Sequence, residues 1–454
     1  MARGARAAAM AMLALAPLWP SPSTLHAQSA SAPAAADQAG SDEAGFTPED
    51  WSVHAQSTFT EQGNLRFHSP YRGPNSLDPA PRGRESWTGT LYLGRRLPWQ
   101  GGALYFNPEF NQGFGLSHTE GVAGFPNGEA QKGGFDKPKL NVARLFLRQS
   151  FGLIGGDQTI AADENQLADK EDANRVTVTA GKYSPTDLFD TNDYANDPRE
   201  DFLNGALWAA GAWDYPADSK GYSEGAAVEW IHPAWTLRGG WFLEPKIANQ
   251  RDLEPRFWHS FGSVAELENH FTIGTRDGVL RTLVFANRAP MGSNSQAIAN
   301  GGDIVITRRS RWKPGFVLNL QQAVTDDLGV FGRFSLSNGH TESWAFEDID
   351  QSESLGLSLK GKRWNRDNDV VGLGVVQNQL TQQHRGFFAV GGLGILVGDG
   401  KLSYAPERIL ETYYKAQLFK PLSVSLDYQF VLDPAYNEAR GPVSIFAARM
   451  HLEY

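Results

Sequence analysis

Six apolar side chains stand at every second position near the end of the chain: Leu422, Val424, Leu426, Tyr428, Phe430 and Leu432. Ser423, Ser425, Asp427 and Gln429 fill the places between them. A period of two is that of a β-strand with one greasy and one wet face. Eleven residues also exceed what most soluble strands need and match the roughly 9–11 residues of a tilted membrane-crossing strand. The last stretch repeats the pattern, with Phe446, Ala448, Met450, Leu452 and Tyr454 on one face and Ala447, Arg449, His451 and Glu453 on the other. The chain closes on an aromatic.

The same alternation recurs through Trp51, Val53, Ala55 and Phe59, through Trp87 to Leu93, and through Val176, Val178 and Ala180. It continues at Trp235 to Leu243, Leu328 to Leu336, Leu355 to Leu359 and Leu410 to Leu418. Weaker candidates lie near 103–112, 140–151, 205–213, 222–231, 264–274, 277–288, 303–309, 315–324, 370–380 and 386–397. The total is 16 to 19 strands, and an even number is expected of a bacterial single-chain barrel. The expected fold is all-β: a transmembrane antiparallel barrel of 16 strands, with 18 as the alternative.

Turn signals separate the strands at Asp277-Gly278, Asn338-Gly339, Asp399-Gly400 and Asp367-Asn368-Asp369. Longer polar or glycine-rich stretches at 61–85, 113–139, 155–173, 184–204 and 244–262 are expected to be extracellular loops, one or two of them folded inward. No second domain and no internal repeat beyond the hairpin period is visible.

Export is expected too. Arg3 and Arg6 precede an apolar run over 7–18, and Ala27 offers a cleavage point, so 1–27 reads as a signal peptide and 28–46 as a flexible mature N-terminus. The barrel domain then occupies 47–454. Without 1–27 the chain has 39 basic against 51 acidic residues, a balance of −12, which argues against a nucleic-acid partner. The absence of cysteine removes disulfides and thiolate chemistry and suits passage through an oxidising periplasm. No further apolar run reaches the roughly 18 residues of a spanning helix.

Catalytic signatures are scarce. HExxH, GxxxxGK[ST], GxSxG and a complete GxGxxG are all missing, and no two of the ten histidines sit at metal-ligand spacing beside a third acid. No cofactor is expected. The stretch Asp187, Asp190, Asn192, Asp193, Asn196, Asp197, Asp201 is dense in oxygen ligands, which leaves a structural calcium ion open, although it lacks the glycine of an EF-hand loop and a hydrogen-bonded loop network built on Asx turns explains such a cluster better.

Arg144 and Arg148 lie four apart on one strand and share a face, opposite Ala143, Leu145 and Leu147. Arginine facing lipid costs about 2–4 kcal/mol near the midplane, so this face must look into the lumen. There the guanidinium groups can donate forked hydrogen bonds to solute hydroxyls or pair with an inward loop acid. Trp208, Trp213, Asp214, Tyr215 and Asp218 mix rings with carboxylates, a combination suited to the apolar faces and polar rims of sugars, or to packing within a loop.

Several stretches in order resemble the carbohydrate-selective porin family typified by OprB: Phe125-Pro-Asn-Gly-Glu129, Ala143 to Gln149, Gly181-Lys-Tyr-Ser, Asp187 to Asn192 and Asn196-Asp-Pro-Arg199. Phe202-Leu-Asn204, Trp213 to Asp218, Gly221-Tyr222, Glu411-Thr-Tyr-Tyr414, Asp427 to Phe430 and Asp433-Pro434 complete the series. The likeness runs from about 50 to 454. It implies a 16-stranded barrel with a constriction made by inward loops, passive uptake of mono- or oligosaccharides, and arginines and acids at the narrowing. Arg144 and Arg148, then Asp197, Arg199, Trp213 and Asp214, are the residues expected to line the pore or touch solute. The implied partners are small sugars as permeating solutes, outer-membrane lipids and the barrel assembly machinery, with the protein a monomer or homotrimer in the bacterial outer membrane. Two rival readings are a polysaccharide exporter of the alginate type, which calls for a strongly basic lumen, and an outer-membrane lipid-modifying enzyme, which calls for a nucleophile pair no motif supplies. A soluble sugar-binding β protein is a third.

Overall fold

The computed structural model describes residues 46–454; the expected signal peptide and all but the last residue of the expected flexible N-terminus lie outside that range. Among the described residues sixteen strands close one antiparallel barrel. The first half comprises β1 (Trp51–Asn64), β2 (Arg82–Arg96), β3 (Gly102–Gly113), β4 (Phe135–Gly152), β7 (Arg175–Tyr183), β8 (Ser223–His232), β9 (Trp235–Leu243) and β10 (Phe261–Ile273). The second half comprises β11 (Arg276–Ala289), β12 (Arg311–Ala323), β13 (Leu328–Ser337), β14 (Gln351–Gly361), β15 (Arg366–Gln379), β16 (Glu407–Phe419), β17 (Leu422–Leu432) and β18 (Val443–Glu453). Two short strands, β5 (Asp157–Ile160) and β6 (Asp169–Asp172), pair only with each other. β1 closes the ring against β18, with Thr58 opposite His451. Closure leaves no strand edge unpaired, which a bilayer demands of any spanning sheet.

Parity sorts the side chains as the sequence requires. On β17 the outward Leu426 is 66% exposed while Ser423, Ser425, Asp427 and Gln429 are buried in the interior. Exposed rings collect towards both rims, with Trp51, Trp99, Phe419 and Tyr454 at one and Trp258 and Trp312 at the other. That is the arrangement of interfacial aromatic girdles. Short turns at 97–101, 233–234, 274–275, 324–327, 362–365 and 420–421 share the first rim with both ends of the barrel chain, and every longer connection except 153–174 leaves from the opposite one. By the usual asymmetry of such barrels the short-turn rim is periplasmic.

Inward connections fill much of the interior with a packed core. Phe202, Leu207 and Trp208 of the 184–222 connection meet the inward residues Phe331, Val376, Ile409, Tyr413, Val431 and Ile445 of the wall, together with Phe125 from 114–134 and Phe387, Phe388, Leu396 and Val397 from 380–406. A second apolar group joins Phe189, Trp213 and Tyr215 to Tyr105, Phe146, Phe242 and Phe285.

Several expectations need correction. The candidate at 205–213 is not a strand: it holds the short helix Gly205–Trp208, whose first turn is capped by the Asn204 side chain, and its apolar pattern serves the lumen core. The candidate at 303–309 is a single 3-10 turn, Val305–Thr307. The candidate at 386–397 overlaps the helix Gln382–Ala389, capped by Thr381, whose adjacent Phe387 and Phe388 are both buried. Asp277-Gly278 and Asp367-Asn368-Asp369 lie inside β11 and β15, just after turns at 274–275 and 362–365. Ala143 does not face lipid: the register slips between Asn107 and Pro108 opposite Val142 and Arg144, and this bulge turns Ala143 inward. The stretch 155–173 is not an extracellular loop. It follows the periplasmic end of β4 and carries the β5–β6 hairpin.

Candidate functional site

Polar residues at alternate positions build the wall on β3, where Asn107, Glu109 and Asn111 point inward and are fully buried. Buried carboxylates persist only when paired and hydrogen-bonded. Glu109 accepts from Thr90 Oγ1 at 2.9 Å, Asn111 Nδ2 at 3.0 Å and Tyr222 OH at 3.0 Å. Its cationic partner is Arg199, whose guanidinium reaches Glu109 Oε2 at 2.8 Å, Glu129 Oε2 at 3.1 Å and Tyr92 OH at 3.0 Å. Arg199 comes from the 184–222 connection and Glu129 from 114–134, so one guanidinium ties two inward loops to the wall.

On β4, Arg144 and Arg148 point inward, while Leu145 and Leu147 are exposed on the outer face. Arg144 grips Asp187 through two parallel bonds, Nε to Oδ2 at 2.7 Å and Nη2 to Oδ1 at 2.6 Å, and stacks over the Tyr222 ring at 5.3 Å. This forked geometry is the strong form of an arginine–carboxylate contact. Asp187 is itself fixed by the capping box at Pro185–Asp187, where it accepts from the Ser184 backbone N–H at 3.0 Å. Arg148 instead donates to the Asn165 backbone carbonyl at 2.9 Å and lies 5.3 Å from the Tyr105 ring centre. The two arginines therefore hold different segments: Arg144 the loop entering from outside, Arg148 the hairpin entering from the periplasm.

Between those segments lies a cavity of about 310 Å³. Asp187, Asp197 and Arg199 line it on the loop side; Asp163, Glu164, Asn165 and Leu167 line it on the hairpin side; Tyr92, Arg144, Arg148, Tyr183, Glu229 and Arg238 are among its wall residues. Glu164 accepts from Gln56 Nε2 at 2.7 Å, and burial pushes its carboxyl up to about 8, with Asp197 and Glu453 adding to the rise and Arg199 opposing it. Next to the cavity a further ladder runs across β8 to β11: Arg238 contacts Glu229 at 2.9 Å and both Glu266 and Glu268 at 3.0 Å, while Arg281 contacts Glu268 at 2.7 Å.

Of the residues singled out in the sequence, Arg144, Arg148, Asp197 and Arg199 meet at this cavity. Asp197 accepts from the Arg199 backbone N–H at 2.8 Å and so shapes the turn that presents Arg199. Trp213 and Asp214 stand apart from it. Trp213 is buried against Tyr215 and Phe285, and Asp214 accepts the backbone N–H groups of Trp344, Ala345 and Phe346 at 2.7, 2.8 and 3.0 Å. The pair joins the 184–222 connection to 338–350. In the acidic stretch, Asp190 is held by Asn319, Arg333 and the Ala210 N–H, and Asp193 by Gln321. A calcium ion there would have to displace these donors.

Tyr92, Glu109, Glu129, Glu164 and the Arg238 ladder were not picked out from sequence. For the strand members the signal was present as parity: Asn107, Glu109 and Asn111, or Glu266 and Glu268, are polar at a spacing of two. Glu129 and Glu164 sit on connections, where no periodicity marks an inward side chain.

The family model described as carbohydrate-selective porin, OprB family, matches residues 75–454. No curated protein matches the chain by sequence. Among solved structures, the chain is similar to the high-pH structure of Pseudomonas putida OprB, with a TM-score of 0.67 at 15% identity, covering 89% of this chain and 94% of that one. It is also similar to the outer membrane channel DcaP of Acinetobacter baumannii, with a TM-score of 0.52 at 9% identity, covering 89% and 97%. Such low identities speak for the fold; the family match over most of the chain, on a closed 16-stranded barrel with a charged lumen, speaks for the kind of protein. The chain belongs to the OprB family of carbohydrate-selective porins and is an outer-membrane channel for small solutes.

Proposed function

We propose that the solutes crossing this barrel are small uncharged saccharides, moving down their gradients with no bond made or broken. The observation that carries this reading is the pairing of charge around the cavity. Arg144 faces Asp187, Arg199 faces Glu109 and Glu129, and Arg238 faces Glu229, Glu266 and Glu268. The lining as a whole carries eight Arg and Lys side chains against seven Asp and Glu, so it presents many fixed donors and acceptors with little field of one sign, and the rings of Tyr92, Tyr105, Tyr183 and Tyr222 lie among them. Hydroxyl-rich neutral solutes can exchange water for such groups at small cost, whereas a strongly charged solute finds Arg144, Arg199 and Arg238 already engaged by carboxylates, with Arg148 bonded instead to the Asn165 carbonyl. An exporter of acidic polysaccharide would need unpaired basic groups along the same path. The cavity volume is at the lower end of the roughly 300–1,000 Å³ of small-molecule sites, which favours short sugars.

The test is the ion current through single channels in planar bilayers as neutral mono- and oligosaccharides are added. Saturable block by neutral sugars supports the reading. Block by an anionic oligosaccharide, with none by any neutral sugar, would overturn it in favour of the exporter.

A further inference from the structure

We propose that a first-row divalent transition cation of the zinc type binds inside the lumen at Glu200, His451 and Glu453, tying the inward 184–222 connection to the seam where β1 meets β18. The inference is independent of which solute crosses.

His451 sits on β18 directly opposite Thr58 of β1, at the closing seam. Its imidazole is buried, with 5% of the residue exposed. Nδ1 lies 2.8 Å from Thr58 Oγ1. With Nδ1–H donating to that hydroxyl, the neutral ring has its lone pair on Nε2, because a neutral imidazole carries only one N–H. Nε2 makes no hydrogen bond. It points between Glu200 Oε1 and Glu453 Oε2, each 3.8 Å away, and the three ligand atoms lie within 4.8 Å of one another.

In that tautomer the lone pair aimed at two carboxylate oxygens is repulsive, and burial strengthens the repulsion. A cation at the centre removes it. One imidazole nitrogen and two carboxylate oxygens form a familiar donor set for zinc and its neighbours, with ligand distances of about 2.0–2.2 Å that place donors roughly 3.3–3.5 Å apart in tetrahedral geometry. From 3.8 Å, each carboxylate oxygen has to close on Nε2 by a few tenths of an ångström, and the two carboxylates have to close further on one another. Glu453, at the strand end, is exposed and free to make it. The hydroxyl behind Nδ1 supplies the outer hydrogen bond that orients most metal-bound histidines. Glu200 is positioned as well: Lys415 Nζ holds its other oxygen, Oε2, at 2.8 Å, which leaves Oε1 turned to the histidine. Imidazole nitrogen favours zinc, copper or nickel over magnesium and calcium, whose preferred ligands are oxygens alone.

A bound ion would fix Glu200, one residue from Arg199, and so stiffen the turn that presents Asp197 and Arg199 to the cavity. The probe is zinc chloride added to the folded barrel in detergent at pH 7.5 after removal of metals with a chelator, with binding read by competition against a chromophoric chelator. One saturable zinc per barrel is expected, undisturbed by millimolar magnesium. His451→Gln and Glu453→Gln should each weaken it by at least about tenfold, and Thr58→Val by a smaller factor. Glu453→Gln, at an exposed strand end, keeps the test open if the seam variants fail to fold, and heat-modifiable gel mobility reports folding. Absence of saturable zinc binding to the wild-type barrel would overturn the proposal. So would displacement of zinc by magnesium, or unchanged affinity in Glu453→Gln.

Discussion

Replacing Arg199 by methionine keeps most of the side-chain volume and removes the charge that joins two inward loops to the wall. Two carboxylates then lose their shared cation. Glu109 keeps only the neutral donors Thr90, Asn111 and Tyr222, and Glu129 keeps Thr88 and Lys132. Breaking a buried pair by deleting one partner costs about 3–5 kcal/mol, because the remaining charge stays in a poorly solvating place. Here the charge has an escape. The 196–201 turn can leave the lumen while all sixteen strands remain paired, so the cost should fall mainly on loop docking, shifting the docked-to-displaced ratio by about two to four orders of magnitude. The expected result is a folded barrel with normal heat-modifiable mobility, higher single-channel conductance and a 184–222 segment open to proteolysis. Adding Glu109→Gln and Glu129→Gln to Arg199→Met should restore much of the loss, since neutral replacement of a whole buried ion cluster is often close to neutral. Protection and conductance unchanged in Arg199→Met, or a triple variant as impaired as the single one, would refute the reasoning.

Four further outcomes are expected. Leu426→Lys places a cation against lipid and should destabilise the barrel by up to about 2–4 kcal/mol in urea unfolding from lipid vesicles, with Leu426→Ile close to wild type; equal midpoints for the two would contradict the assignment of the outer face. Ser425→Lys should also impair folding, because Ser425 is buried beside Arg449 Nη2, 3.3 Å away, and not in open water. Arg144→Ala with Arg148→Ala should raise conductance and lower discrimination between sugars and other neutral solutes; of the single variants, only Arg144→Ala should loosen the 184–222 loop, at a cost of about 1–3 kcal/mol for the abandoned Asp187, which protease mapping checks. Finally, Glu164 in the docked hairpin holds its proton up to about 8, well above an ordinary carboxyl at 4.5, whereas a displaced hairpin would release it in water. Docking is therefore strongest below about 4.5, weakens as pH rises to about 8 and changes little beyond, so conductance should climb across that window and Glu164→Gln should flatten the curve.

What could be read from the sequence was what lipid enforces. A strand between bilayer and lumen has two different solvents, and the alternation of Leu426 with Ser425 and Asp427 records them directly. Where both faces are buried the record fades. Val375 and Val376 on β15 are adjacent and apolar because one meets lipid and the other the loop core, which no two-residue period distinguishes. The same core explains the false strands: at 205–213 and 386–397 apolar residues are buried by loops folded into the lumen, and their spacing imitates a wall. Arg144 and Arg148 were legible because charge cannot face lipid. Trp213 and Asp214 were equally conspicuous as residues, yet they pack one inward loop on another, and only the contacts of Asp214 with the Trp344, Ala345 and Phe346 N–H groups reveal it. The hairpin at 157–172 escaped notice because its strands are four residues long and its destination, the periplasmic mouth, depends on the direction of β4.

The central claim is a passive channel whose paired charges favour uncharged sugars, and swelling of proteoliposomes measures it most directly. Vesicles carrying the purified barrel should swell readily in isosmotic mono- and disaccharides, more slowly in amino acids or salts of similar size, and hardly at all in long oligosaccharides. Equal rates for sugars and charged solutes of the same size, or no swelling in any neutral sugar, would contradict it.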